Sequence, residues 1–417
     1  MSSTPNAVIV GTGHGGVQVA SSLREHGFDG RITMIGEEPD LPYHRPPLSK
    51  SYVVSDSAEL DPLRGAEYFS NNDIELIVGR LVTSVCPSEQ VLRLNSGSRV
   101  RYDHLILATG SRNRVIPVEG ADLDGVFGLR TAAEAREIRD RLTSTNDIVV
   151  IGGGFIGMEF AAAVAAAGKN VTLLVAAPRT MARAVSAEVS AFLEAKQHAS
   201  GVTVITSSSV TRFEGLNGKI ATVVGGDGER FAADLVLVGI GAQAESELAA
   251  EAGLAVGSHG ADGVLVDQYL VTSHPNISAI GDCARFPLGN ATVRLESVQN
   301  AVDQARSVAM RLTGTALPYD RVPWFWSNQG KVKVQIAGLR TGIDKTVTRG
   351  DVSSGKFSLF GYCGTDLVAV ESINQPGDHM AARRILETRA SLTYDQAADR
   401  AFRLKDACRQ TDPVESN

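Results

Sequence analysis

The hydrophobic pattern runs through the same short programme twice. Residues 7–10 and 148–151 are continuous apolar runs, which predicts strands buried on both faces of a parallel sheet. Each run leads into a glycine turn: Gly11-Thr12-Gly13-His14-Gly15-Gly16 in one case, Gly152-Gly153-Gly154-Phe155-Ile156-Gly157 in the other. Each turn opens a helical stretch of small residues. The first stops at Gly27; the second, over 157–167, stops at Gly168. A second strand follows in each unit, around Ile32, Met34 and Ile35 and over 170–175. Further buried strands are expected over 104–111, 234–241 and 277–282. From Val322 the pattern changes to alternation (Val332, Val334, Ile336; Phe357, Leu359; Leu367, Val368, Val370), which predicts an antiparallel sheet. A helix over 378–388 and a polar tail end the chain. Between the first unit's strands and the rest lies 41–50, where three prolines in six residues predict an extended path without regular structure.

At 417 residues the chain is too long for one core. The expected fold is α/β, with two Rossmann-like dinucleotide-binding domains, the second inserted in the first, and a C-terminal α+β domain. The boundaries expected are 1–113, 114–242, 243–320 and 321–417, the first and third forming one unit.

The glycine spacing has a chemical reason. The first glycine makes a tight turn, the second lets backbone approach a pyrophosphate, and the third lets helix and strand pack closely. Phosphates then rest on free N–H groups at the helix start. Two such turns predict two dinucleotides, most simply a flavin adenine dinucleotide (FAD) and a nicotinamide cofactor. Glu37 ends the second strand about 20 residues past the first turn, where a carboxylate accepts both ribose hydroxyls of an adenosine. Glu38 is adjacent and competes for that role.

Composition narrows the setting. Hydrophobic content of 43% with 21% charge is ordinary for a globular protein, and a net charge of −7 argues against nucleic acid as a partner. The charge is uneven: +3 from Arg321 onward, −10 before it, so a mildly basic end is available to an acidic partner. Cys86, Cys283, Cys363 and Cys408 are scattered without a C-x-x-C, which points to no redox dithiol or metal site and fits a cytoplasmic location. The first strand begins too early to leave room for a signal peptide, and the small-apolar run 160–168 is too short to span a bilayer.

Longer strings carry more information. The chain resembles the FAD-dependent NAD(P)H:ferredoxin reductases of oxygenase systems along nearly its whole length. The carriers are the two glycine turns, Pro42-Tyr43-His44-Arg45-Pro46-Pro47-Leu48-Ser49-Lys50, Ala108-Thr109-Gly110, Glu159, Gly281-Asp282, Glu296-Ser297-Val298-Gln299-Asn300-Ala301 and Trp324-Phe325-Trp326-Ser327. Apoptosis-inducing flavoproteins share several of them. The resemblance implies that Gly11, Gly13, His14, Gly15 and Gly16 line the FAD pyrophosphate, with Val82 at the adenine end and Asp282 on the ribityl chain. Arg45, Ala108, Thr109, Gly110, Arg130 and Val298 complete the FAD set. Gly152, Gly154, Phe155, Ile156, Gly157, Glu159, Val175, Arg183 and Gly241 form the nucleotide set. Lys50 is implied beside flavin N5, paired with Glu159, which also clamps the nicotinamide carboxamide. Trp326 is implied to cover the flavin or gate the nicotinamide, so the catalytic residues are Lys50, Glu159 and Trp326. No metal site is expected.

The implied activity takes hydride from NAD(P)H onto FAD and passes single electrons to an iron–sulfur ferredoxin, expected to carry a [2Fe-2S] cluster, that feeds a haem monooxygenase or a ring-hydroxylating dioxygenase. A different acceptor (rubredoxin, quinone or oxygen) and a partner-binding flavoprotein are the alternatives. Two departures stand out. Val175 occupies the strand end where an acid holds the NADH ribose, and Arg179 and Arg183 follow it, available to a 2′-phosphate. NADH is expected, with NADPH possible. The turn Ala242-Gln243-Ala244 lacks the proline usual at this hinge.

Overall fold

The computed structural model describes residues 4–55, 57–258 and 262–411. The duplicated pattern folds into two five-stranded parallel sheets. In the first, Asn6–Val10 lies between His104–Leu107 and Arg31–Ile35, with Ile74–Ile77 and Ile277–Ala279 at the edges. In the second, Asp147–Ile151 lies between Asn170–Val175 and Leu235–Val238, with Val202–Thr206 and Val126–Phe127 at the edges. The central strands are apolar because both of their faces are covered.

The two glycine turns are near copies. Gly11 and Gly152 have φ of +112° and +107°, and a Cβ on either would stand 2.1 Å from Ala108 O or 2.3 Å from Gly239 O. A Cβ on Gly16 or Gly157 would collide with the carbonyl of Gly11 or Gly152, at 2.0 and 2.1 Å. Both turns therefore require glycine where strand, turn and helix meet.

The chain passes between the sheets through Ser111–Asn113 and Ala242–Ala244, which pair antiparallel. Arg112 fastens this ribbon by bonding Glu245 at 3.0 Å and also Glu247. The third layer is an antiparallel sheet in the order Trp324–Gln329, Val332–Gly338, Asp366–Ile373, Lys356–Cys363, Lys345–Asp351. One face (Val334, Ile336, Leu359) shares a core with the helix Ala187–Ala199, and the other (Phe360, Tyr362, Val370) packs under Pro376–Thr388. No described helix is long and apolar enough to cross a membrane.

Several local expectations need correcting. The second nucleotide helix is Phe155–Ala166, two residues earlier than expected, because Gly154 is already extended and leaves the following residue free to begin the helix. Glu159 consequently stands in its second turn, too far in for the helix dipole to explain the carboxylate. The proline string is not wholly irregular: Pro46–Ser49 makes a 3-10 turn and Ser51–Val54 a helical turn, since proline at the first helical positions forfeits no hydrogen bond. The strands expected over 234–241 and 277–282 stop at Val238 and Ala279, where glycines at 239, 241 and 281 turn the chain. Residues after Thr388 are more than a polar tail. Leu392, Ala397, Leu404 and Ala407 are buried, and Thr393 with Gln396 forms a capping box.

Candidate active site

The first glycine turn forms an anion cradle. The helix His14–Glu25 starts from Gly13 without a side-chain cap, and Phe155–Ala166 starts likewise from Gly154. The helices beginning at Ala132, Ala187 and Val298 are instead capped by Thr131, Ser186 and Ser297. Among the described residues, the N–H groups of His14, Gly15 and Gly16 and of Phe155, Ile156 and Gly157 meet no acceptor. Cβ positions on Gly13 and Gly154 face open space. Two sets of free donors with room beside them fit two pyrophosphates.

Around the first cradle the expected FAD residues converge. Ala108-Thr109-Gly110 lies against Gly11, and Thr109 Oγ1 donates to Glu245 O at 2.6 Å. Asp282 Oδ2 accepts from Arg130 Nη2 at 2.9 Å and Ser111 Oγ at 3.0 Å, leaving Oδ1 without a partner among the described residues. Val298 opens the helix Val298–Leu312, which packs along His14–Glu25, and next to it Gln299 Oε1 is buried with no partner. An orphaned buried acceptor at this point favours a bound donor. Val82 begins a strand on a segment tied to the end of the second strand, where Arg80 N donates to Gly36 O at 2.9 Å.

The structure separates the two adjacent glutamates. Glu38 accepts from Arg45 Nη2 and Tyr43 Oη, both at 2.6 Å, and from Ala132 N at 3.2 Å. Glu37 is exposed and bonds to no described residue, so it is the one available to a ribose. Arg45 also donates to Arg130 O at 2.8 Å, and its guanidinium braces protein groups. His14 sits 5.3 Å from His44, ring to ring, and burial, helped by the neighbouring His44 and Arg45, pulls its pKa down to about 4. It is neutral at pH 7.

Lys50, Glu159 and Ser327 meet where the three layers touch. Glu159, 4% exposed, accepts from Lys50 Nζ at 2.6 Å and Ser49 Oγ at 2.7 Å on Oε2, and from Ser327 Oγ at 2.5 Å on Oε1. Lys50 Nζ also donates to Pro46 O at 2.9 Å, and Gln329 Nε2 supports Ser327 at 2.8 Å. Phe155 and Phe325 close the side of the cluster at 4.5 Å. The pairing of Lys50 with Glu159 is the one expected from the sequence. Ser49 and Ser327 are additions to it, although both lie in strings that carry the family resemblance. Phe325 and Ser327 face the nucleotide helix, so alternation turns Trp326 to the opposite face, with its ring 6.1 Å from Trp324.

At the second turn, Val175 is buried against Gly153, whose Cβ would stand 2.8 Å from Cγ2. Ile156 is exposed at the opening. The two arginines differ. Arg179 is consumed by carbonyls of its own loop: Ala182 at 2.7 Å, Val185 at 3.0 Å and Ser186 at 3.3 Å. Arg183 is exposed, and its Nη2 lies 3.9 Å from a Cβ built on Gly241. Gly241 follows the strand on the far side of Asp147–Ile151 from Val175. Arg183 therefore leans across the glycine turn and away from the ribose end.

Comparison with known proteins agrees with this geometry. Residues 5–305 match the family described as pyridine nucleotide-disulphide oxidoreductase, and residues 324–408 match the reductase C-terminal family. The chain is 50% identical to rhodocoxin reductase of Rhodococcus erythropolis, over 95% of this chain and 93% of that one. It is similar to the crystal structure of the ferredoxin reductase for the CYP199A2 system from Rhodopseudomonas palustris, with a TM-score of 0.93 and 44% identity, covering 97% of this chain and 99% of that one. The covalent putidaredoxin reductase–putidaredoxin complex matches with a TM-score of 0.92 and 37% identity, covering 98% and 99%. Two uncapped glycine cradles, the ion pair of Lys50 with buried Glu159 and these matches place the chain among the pyridine nucleotide-disulphide oxidoreductases, enzymes that bind FAD and NAD(P)H, in the group that carries a reductase C-terminal domain.

Proposed function

We propose that the protein is an NAD(P)H:ferredoxin reductase that takes hydride from NADH and delivers single electrons to an iron–sulfur ferredoxin, a [2Fe-2S] protein, feeding an oxygenase. The single observation that carries the reading is the Lys50–Glu159–Ser327 cluster between the two cradles. The Rhodopseudomonas reductase serves a ferredoxin by its name, and that acceptor is carried over here. The division at 1–113, 114–242, 243–320 and 321–417 and a cytoplasmic setting belong to the same proposal; Cys86, Cys283 and Cys363 are free thiols.

FAD, when bound, supplies the redox chemistry, accepting hydride and releasing electrons one at a time. The protein's part is placement and charge. Lys50 is pinned by Glu159, Pro46 and Ser49, so its ammonium is a fixed cation that favours negative charge on a reduced ring beside it. A carboxylate oxygen has two acceptor sites. Glu159 Oε2 has both filled, and Oε1 has one filled by Ser327, which leaves one site for a carboxamide N–H. Free N–H groups at both helix starts and Arg183 hold the phosphates. Trp326, on the edge strand that also carries Ser327, is assigned to cover the flavin or gate the nicotinamide.

NADH is the preferred donor in this reading. Arg179 is spent on its loop and Arg183 reaches toward Gly241, so neither is set for a 2′-phosphate. With Val175 in the place of a ribose carboxylate, the preference is modest. Anaerobic titration with NADH and NADPH, followed by bleaching of bound flavin, tests the donor. Addition of a ferredoxin, then of a rubredoxin, tests the acceptor. Protein that is colourless and takes up no flavin, or reduced protein that spares the ferredoxin, would remove the proposal.

A further inference from the structure

The C-terminal sheet presents an apolar face to the nucleotide unit, built from Val332, Val334, Ile336, Phe357, Leu359 and Ile373. Glu371 stands on the same face, opposite Ile336 and Leu359, and is 1% exposed. A carboxylate in such surroundings is costly unless it is bonded. Its Oε1 accepts from the backbone N–H of Ser186 at 2.8 Å and from Arg340 Nη1 at 3.0 Å. Ser186 is not in the C-terminal layer. It caps the helix Ala187–Ala199 and ends the loop that carries Arg183.

That loop is bonded through to the nucleotide turn. Val185 N donates to Met181 O at 3.1 Å, and Met181 N donates to Gly153 O at 2.7 Å. Arg179 ties its own side chain to the carbonyls of Val185 and Ser186. Met181 holds a φ of +49°, a left-handed conformation that a side-chain-bearing residue adopts only under restraint. The one charged group reaching the loop from the sheet's apolar face is Glu371, and the one exposed arginine on the loop is Arg183, among the described residues.

We infer that Glu371, supported by Arg340, is a positioning residue for the nicotinamide dinucleotide: by holding Ser186 it sets the loop so that Arg183 lies over the pyrophosphate. The C-terminal domain then shapes donor affinity from behind the nucleotide site without touching the nucleotide. The inference rests on the reading of Arg183 as a pyrophosphate ligand, given above.

The test is equilibrium binding to the oxidised holoprotein by calorimetry, with NAD+, ADP-ribose and adenosine as ligands. Only the first two carry a pyrophosphate. Glu371→Met keeps the length of the side chain and removes the acceptor, and Arg340, 28% exposed, can turn to solvent once its partner is gone. It should weaken ADP-ribose by about tenfold or more, the size of one charge-assisted hydrogen bond that a misplaced arginine no longer makes. Adenosine should change less than about twofold, and Glu371→Gln, which keeps an acceptor for Ser186, should restore most of the affinity. Combined with Arg183→Gln, Glu371→Met should add nothing further, because both act on one interaction. Should Glu371→Met not fold, Arg340→Gln carries the test with the same selective loss of ADP-ribose affinity. Wild-type ADP-ribose affinity in the folded variant, equal losses for adenosine, or full additivity with Arg183→Gln would overturn the inference while leaving the donor reading intact. Wild-type holoprotein that binds no NAD+ would overturn both.

Discussion

Replacing Glu159 by glutamine is the most searching test of the cluster, because shape is kept and charge is lost. The carboxylate takes Lys50 and Ser49 on one oxygen and Ser327 on the other. A glutamine keeps an acceptor for Lys50 only if its amide nitrogen turns to Ser327. Ser327 already accepts from Gln329, so its own hydrogen is then left without an acceptor in a site where it is 1% exposed. The ammonium stays charged and keeps a neutral carbonyl as acceptor, so what is lost is the attraction of the opposite charge, about 1 kcal/mol for a partly exposed pair. Lys50 is 23% exposed, and water recovers part of that. The stranded Ser327 hydroxyl costs about 1 kcal/mol more.

The cluster as a whole thus loses about 2 kcal/mol, which lowers Tm by a few degrees. The lysine's tether loses about 1 kcal/mol, roughly fivefold in the population held in place. With the carboxamide acceptor also altered, the rate of flavin reduction by NADH should fall about tenfold while FAD stays bound. Anaerobic stopped-flow measures the rate, and the visible spectrum reports retention. Ser327→Ala is the control: it removes one neutral donor, keeps the charge, and should slow reduction by less than about threefold. A Glu159→Gln protein with lowered Tm and a wild-type reduction rate would refute the reasoning, since the cluster would then be only a structural joint.

Three further outcomes are expected. Glu37→Ala should weaken FAD binding about tenfold with little change in the stability of the apoprotein, whereas Glu38→Ala should destabilise the fold, because Glu38 holds Tyr43, Arg45 and the helix at Ala132; flavin titration and thermal melting separate them. Val175→Glu should raise the ratio of kcat/KM for NADH over NADPH, and an unchanged ratio would mean that this strand end does not meet the ribose. His379, 2% exposed with neither ring nitrogen bonded among the described residues, has its pKa pulled down to about 4 by burial and then by Arg383. Between about 4 and 6.5 the unfolded chain binds the extra proton, so stability is present above 6.5 and lost as pH falls through that window. Lowering pH from 7.5 to 5 costs about 2 kcal/mol through this residue. His379→Leu should abolish that part of the acid sensitivity in denaturant titrations, and an equal pH slope in the variant would refute the assignment.

What the sequence disclosed follows the range of its signals. The glycine turns are local: strand, turn and helix lie within about 20 residues, and the close approaches of Gly11 and Gly16 are written in that spacing. The return of Ile277–Ala279 to the first sheet was also legible, because a short buried strand that follows an inserted nucleotide unit has the first sheet to rejoin. Helix starts were less so. Gly157 carries the third glycine of the motif, but the helix begins as soon as φ and ψ allow, at Phe155. The same holds for the proline string, where periodicity says nothing about a single turn that proline itself favours.

The residues that went unread are those whose partners are remote. Ser49 meets Glu159 across 110 positions and Ser327 across 168, and a serine carries no periodic or charge signal that would mark it. Burial supplies the missing argument. A carboxylate that is 4% exposed draws on whatever elements surround it to fill its acceptor sites, so the two layers that converge on the helix of Glu159 each contribute a donor. The helix brings the acid, the proline string brings Lys50 and Ser49, and the C-terminal edge strand brings Ser327. Glu371 draws on remote donors in the same way at the back of the nucleotide unit, where a loop and an arginine far apart in sequence both bond its Oε1, while its Oε2 is buried without a partner. In both places a single buried carboxylate fixes how separate units of the chain meet, so the relative placement of the two cradles and the C-terminal sheet depends on a few oxygen atoms that no local pattern records.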